Sequence, residues 1–147
     1  MPNRRIQEVL RNQRLLHLAP DVSVREAARQ MSARRVAAVL VTEGAGEDKL
    51  DGIFTERDLL ERVVVPGLDP DTTTLAKVMT SAPATVSPGS TVGEALAIMD
   101  AKGVRHLPVT VEGRALGVIS MRDFVADEVA VLDWQHEMER QYAENMR

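Results

Sequence analysis

Thr55 and Asp58, and again Ser120 and Asp123, place a hydroxyl three residues before a carboxylate where an apolar run ends. Both pairs lie in a seven-residue stretch that occurs twice. Gly52-Ile53-Phe54-Thr55-Glu56-Arg57-Asp58 returns as Gly117-Val118-Ile119-Ser120-Met121-Arg122-Asp123. Each copy reads as the end of a short strand that turns into a helix. A hydroxyl, free backbone N–H groups and a carboxylate then meet at a helix N-terminus, a setting that holds phosphates and sugar hydroxyls. The same spacing also satisfies a capping pattern, in which the acid serves its own helix. The aspartate is the discriminating residue, because a carboxylate accepts two hydrogen bonds from a cis-diol at once. Two copies in one chain of 147 residues imply a symmetric pair of binding sites.

The elements that must position these pairs are themselves duplicated. Pro20, Val24, Glu26, Ala27, Met31, Val36, Val41 and Thr42 recur as Pro88, Val92, Glu94, Ala95, Met99, Val104, Val109 and Thr110, at a constant offset of 68. At the seven-residue stretch the offset is 65, so the first half carries three extra residues. They fall in the polar, glycine-bearing turn 43–49, where added length costs little. This is an internal duplication. Ser23-Val24-Arg25-Glu26 and Thr91-Val92-Gly93-Glu94 are capping boxes, each opening a helix with one apolar stripe. Strands follow at 36–42 and 50–54, with counterparts at 104–111 and about 115–119. A second helix starts at Glu56 and at Met121.

A unit of helix, strand, strand and helix cannot bury both helices and one sheet face alone. The expected fold is therefore α+β and sandwich-like: two modules packed through their sheets with pseudo-two-fold symmetry. The divisions expected are 1–66 for the N-terminal segment and first module and 67–78 for a linker and short helix. The second module takes 79–132, and 133–147 form a C-terminal helical extension. Pro66-Gly67-Leu68-Asp69-Pro70-Asp71 cannot continue a helix. Beyond it, Leu75, Val78 and Met79 mirror Ile6, Val9 and Leu10.

Composition narrows the function. With 44% hydrophobic and 27% charged residues the chain suits an ordinary globular core, and with four aromatic residues that core rests on Val, Leu, Ile, Ala and Met. A net charge of −4 opposes binding to nucleic acid or to an anionic membrane. Cysteine is absent, and His17, His106 and His136 lack ligand spacing, so no metal site is expected. There is no Gly-x-Ser-x-Gly elbow and no Walker-type loop. The reading is a binding module, not an enzyme. Without a signal peptide or an 18-residue apolar run, the expected compartment is the cytoplasm.

Two copies of helix–strand–strand–helix, each ending in Gly-apolar-apolar-(Thr/Ser)-x-x-Asp, resemble a tandem pair of CBS domains, also called a Bateman module. Val78-Met79-Thr80 and Arg105-His106-Leu107-Pro108-Val109 support the resemblance, which covers roughly residues 5–130 and is similar to small stand-alone CBS-pair proteins. It implies a regulatory protein that binds an adenosyl compound (AMP, ADP, ATP, S-adenosylmethionine or NAD) in the clefts between modules and passes that occupancy to a partner protein. It assigns Asp58 and Asp123 to the ribose, Thr55 and Ser120 to the ribose or phosphate, and Arg105 and His106 to phosphate. Arg57 and Arg122, beside the aspartates, face either a phosphate or solvent. Ala37 and Ala38 replace Arg105 and His106 in the first half, so the sites are expected to differ. The family also implies a homodimer. Independently, Val131, Trp134, Met138 and Tyr142 form a narrow apolar stripe that gains little unless another surface covers it. The alternative function is a structural homodimerisation protein with no ligand.

Overall fold

Each half opens its first long helix with the hydroxyl that the sequence marks. Ser23 Oγ accepts from the Glu26 N–H at 3.2 Å, and Thr91 Oγ1 accepts from the Glu94 N–H at 3.1 Å. Only the second box is reciprocal. Glu94 accepts from the Thr91 N–H at 3.2 Å, whereas Glu26 is engaged by the side chains of Gln30 and Arg29 on its own helix. The computed structural model describes residues 4–10, 15–43 and 49–145, with the backbone alone over 125–135. The turn that carries the three inserted residues, and the side chains of Val131 and Trp134, lie outside the described residues.

The first half contains α1 (Ile6–Val9), β1 (His17–Leu18), α2 (Val24–Arg34), β2 (Ala38–Glu43), β3 (Lys49–Thr55) and α3 (Glu56–Asp58). A π-helical stretch, Leu59–Val64, continues α3. The second half repeats the order as α4 (Leu75–Val78), β4 (Thr80–Ser81), α5 (Val92–Lys102), β5 (His106–Val111) and β6 (Arg114–Ser120). A 3₁₀ stretch, Met121–Asp127, then leads into α6 (Glu128–Asn145). β2 and β5 begin two residues later than the periodicity predicts. Val36 and Val104 instead close the preceding helices, each donating its N–H to the carbonyl of Met31 or Met99 at 3.0 Å.

The hairpins β2–β3 and β5–β6 share a defect. Val41 pairs with Gly52 and Thr42 with Leu50, which leaves Asp51 unmatched; Val109 pairs with Gly117 and Thr110 with Ala115, which leaves Leu116 unmatched. Both bulges fall on the residue before the motif glycine, where they twist the strand that delivers the motif. Gly52 has a second reason to be glycine: a Cβ there would stand 2.7 Å from the carbonyl oxygen of Thr80 on β4. The sheet order is β1-β2-β3-β6-β5, with β4 also paired to β3; the halves meet in the sheet through Lys49 and Arg114 on β3 and β6 and through Gly52–Ser81 and Ile53–Thr80 on β3 and β4.

Strand alternation divides the apolar residues between two faces. Val39, Val41 and Phe54 pack with Val24, Ala27 and Met31 of α2, while Leu107, Val109 and Ile119 pack with Val92, Ala95, Leu96 and Met99 of α5. Ala38, Leu40, Ile53 and Ala115 form a third cluster between the halves, joined by Leu15, Leu50 and Val118. This is the packing of module against module that the fold class requires.

The short helices are exchanged. Ile6 and Val9 of α1 are buried in the second module's core, and Leu75 and Val78 of α4 in the first module's. Backbone bonds fix both exchanges in the same pattern. Ile6 N–H donates to Ser90 O at 2.8 Å and Val92 N–H to Arg4 O at 2.7 Å; Leu75 N–H donates to Val22 O and Val24 N–H to Thr73 O, both at 2.9 Å. Each half thus completes the core of the other.

Candidate functional site

The two motif carboxylates occupy different surroundings. Asp58 is buried, and its Oδ2 accepts from Thr55 N–H at 3.0 Å and from Thr55 Oγ1 at 3.2 Å. Thr55 Oγ1 in turn accepts from the Asp58 N–H at 3.3 Å, a complete capping box. The other oxygen, Oδ1, lies 3.6 Å from Arg62 Nε, and Arg62 is anchored by donating to the carbonyls of Val78 and Met79. Asp58 is therefore occupied on both oxygens. Asp123 accepts from Ser120 N–H at 2.6 Å through Oδ2, with Ser120 Oγ at 3.4 Å. Among the described residues its Oδ1 has no partner. The position equivalent to Arg62 is Asp127, so the repeat does not carry that arginine into the second motif.

A cleft of about 810 Å³ lies between the halves, within the range of small-molecule sites. From the second module it is lined by His106, Val118, Ser120, Arg122 and Asp123. The first module contributes Leu15 and Leu16, the α2 terminus at Arg34 and Arg35, and Val36 to Ala38 with Leu40. Leu16, Ala38 and Leu40 of this lining are buried, and Arg34, Arg35 and Arg122 are exposed. Of the residues singled out from sequence, His106, Ser120, Arg122 and Asp123 come together here. Thr55, Arg57, Asp58 and Arg105 are not among its lining residues. Arg57 is exposed and bonds Glu61 at 3.0 Å, one turn along its own helix. Arg105 is exposed, and its carbonyl accepts from the Met121 N–H at 3.2 Å. Ala37 and Ala38, the first-half counterparts of Arg105 and His106, line the cleft with short side chains and leave its volume open.

His106 is half-buried, and burial pulls its imidazole below the ordinary range. Asp123 and Glu56 act in the opposite direction, while Arg105 and Arg122 add to the lowering. The ring is thus neutral at pH 7 and offers one donor and one acceptor to the cleft. Leu15, Leu16, Arg34 and Arg35 escaped the sequence reading because no motif marks them. For Arg35 a signal did exist: its counterpart at the offset of 68 is Gly103.

The CBS domain family matches this chain twice, over residues 6–65 and 75–128. The chain belongs to the CBS-domain family. Among curated relatives, the CBS domain-containing protein CBSCBSPB2 of Arabidopsis thaliana is 36% identical over 124 residues, 84% of this chain and 23% of that protein. The mitochondrial CBS domain-containing protein CBSX3 of the same plant is 30% identical over 122 residues, 82% of this chain and 58% of the relative. This CBS pair therefore spans less than two thirds of the length of either relative. Among solved structures, the CBS domain protein of Pyrobaculum aerophilum complexed with AMP superposes with a TM-score of 0.79 at 28% identity, covering 88% of this chain and 96% of that one. The CBS domain structure NE2398 gives 0.77 at 30% identity, with 86% and 98% covered. Among the described residues of this CBS pair, no helix is long and apolar enough to cross a membrane, and no cluster of His, Cys, Asp or Glu is arranged to hold a metal ion.

Proposed function

We propose that this CBS pair is a non-catalytic regulatory module that binds an adenosyl-containing nucleotide (AMP, ADP, ATP or NAD) and signals its occupancy to a partner protein. The observation that carries this reading is the cleft in which Asp123, Ser120, Arg122 and His106 converge against the first module. Asp123 Oδ1 accepts from the ribose diol while Oδ2 keeps the strand-to-helix turn in place. The apolar lining residues Leu15, Leu16, Val36, Leu40 and Val118 cover the base. Because the cleft has walls from both modules, a ligand in it favours the closed pairing of the halves, which is how occupancy reaches a partner surface. The AMP complex of the Pyrobaculum relative supports the ligand class. A ligand at Asp58 would have to displace Arg62, so one nucleotide per chain is expected. Calorimetry with AMP, ADP, ATP and NAD should give Kd values near 1 μM, about −8 kcal/mol, with mass spectrometry of the denatured protein reporting any carried ligand. If none of these compounds binds a protein stripped of ligand, the sensor reading fails and the structural alternative stands.

The proposed assembly is a homodimer. Leu60, Val64, Val65 and Leu68 are 57%, 61%, 74% and 43% exposed at the end of the first module, and Tyr142 of α6 is 71% exposed. Apolar surface of this kind is left for a partner to cover. Removing residues 133–147 should convert the dimer to a monomer in light scattering. A truncated chain that keeps the dimer mass would exclude α6 from the interface.

A further inference from the structure

The two repeats end their first helices with one backbone geometry and two different residues. At the close of α5, Gly103 adopts φ 65°, donates its N–H to the carbonyls of Met99 and Asp100, and is followed by Val104 N–H on Met99 O at 3.0 Å. At the close of α2, Arg35 adopts φ 54°, donates to Met31 and Ser32, and is followed by Val36 N–H on Met31 O at 3.0 Å. The left-handed region is open to glycine and strained for a residue with a Cβ. The first module thus keeps an arginine where its own repeat shows that glycine closes the helix. Helix termination gives no reason for it.

Position in the cleft does. Arg35 lines it, together with Arg34 from the same turn and Arg122 from the opposite module. Among the described residues none of the three guanidinium groups is paired with a carboxylate. Arg34 has an ordinary explanation, since a cation in the last turn complements the helix dipole and its counterpart Lys102 does the same. Arg35 has no such counterpart. The carbonyl end of α2 would by itself repel an anion, and guanidinium groups placed beyond it reverse the sign of the field. Asp123, the carboxylate that lines the cleft, is taken up by the diol of the proposed nucleotide.

We infer that Arg35, aided by Arg34 and Arg122, forms a phosphate-binding corner of the cleft, so that the ligand is a phosphorylated adenosyl compound whose affinity rises from adenosine to AMP to ATP. The inference rests on the adenosyl reading and goes beyond it by naming what the first module contributes. A guanidinium meets a phosphate with two parallel N–H donors, and the gain grows with the charge of the phosphoryl chain.

Arg35→Gly is the informative variant, because Gly103 shows that this backbone accepts glycine. Calorimetry with adenosine, AMP and ATP should show ATP weakened about tenfold, about 1.4 kcal/mol, with the loss confined to the phosphorylated probes. The Tm of the variant without ligand should be unchanged or higher. Arg35→Lys keeps a positive charge and should retain a larger part of the ATP preference than Arg35→Gly. An ATP-to-adenosine affinity ratio that does not move in Arg35→Gly, or equal weakening of all three probes, overturns the inference while leaving the adenosyl reading intact. A wild-type protein that binds none of the three overturns both.

Discussion

Asp123→Ala is expected to weaken nucleotide binding by at least about a hundredfold, whereas Asp58→Ala is expected to cost stability and leave affinity nearly unchanged. The motif is the same in both halves, so the difference must come from its surroundings. At Asp123 one oxygen holds Ser120 N–H, the other has no partner among the described residues, and the residue lines the cleft, where a free oxygen can accept from the ribose diol. Losing charge-assisted hydrogen bonds of roughly 1.5–3 kcal/mol each brings a micromolar ligand to about the hundred-micromolar range or beyond. At Asp58 both oxygens are taken, one by Thr55 and one by Arg62. Alanine there removes a reciprocal cap and releases Arg62, a loss of about 1–3 kcal/mol of folding stability. Calorimetry and thermal melts on the two variants separate the outcomes. Equal loss of affinity from both variants would return the molecule to two equivalent sites.

That asymmetry was only half legible in the sequence. The repeated stretch and the constant offset gave the duplication, the strand-to-helix turns and the candidate carboxylates, because these depend on short-range patterns. Ser23 and Thr91 were readable as caps for the same reason. The closure of Asp58 by Arg62 was not readable, since an i, i+4 pair on a helix becomes meaningful only once the strand end fixes where the carboxylate points. Glu26 illustrates the converse. Its spacing is right for a reciprocal cap, yet Gln30 and Arg29 stand at helical reach and hold it instead. Of the first-module wall of the cleft only Ala37 and Ala38 were marked, through the repeat; Leu15 and Leu16 were invisible, because they reach the second motif only through the packing of one half on the other. Arg35 lies between these cases: its alignment with Gly103 follows from the offset of 68, but its significance depends on a backbone angle. The apolar pattern likewise matched Leu75 and Val78 to Ile6 and Val9, and said nothing about which core would bury them.

The exchange of the short helices carries the largest expected effect on folding. Ile6 is fully buried, although α1 is only four residues long and has no side-chain cap. Such a segment has no helical stability of its own and is held by what it packs against. It belongs to one buried cluster with Val92, Ala95, Leu96, Leu107 and Phe124 of the second module, and its backbone is tied to Ser90 and Pro88. Ile6→Ala should therefore destabilise the protein by about 2–5 kcal/mol, roughly 5–15 °C in Tm for a chain of this size. The distinctive outcome is its location. Hydrogen exchange should show protection falling first in α5, far along the chain, ahead of α2, which follows α1 in sequence. Leu75→Ala should produce the mirror image, with α2 losing protection before α5, because Leu75 is packed with Val24, Ala27 and Met31. If each substitution instead loosened the helix of its own half, the short helices would not be exchanged in solution. The two modules would then be separable units, with no structural reason for a ligand in their cleft to be felt by both.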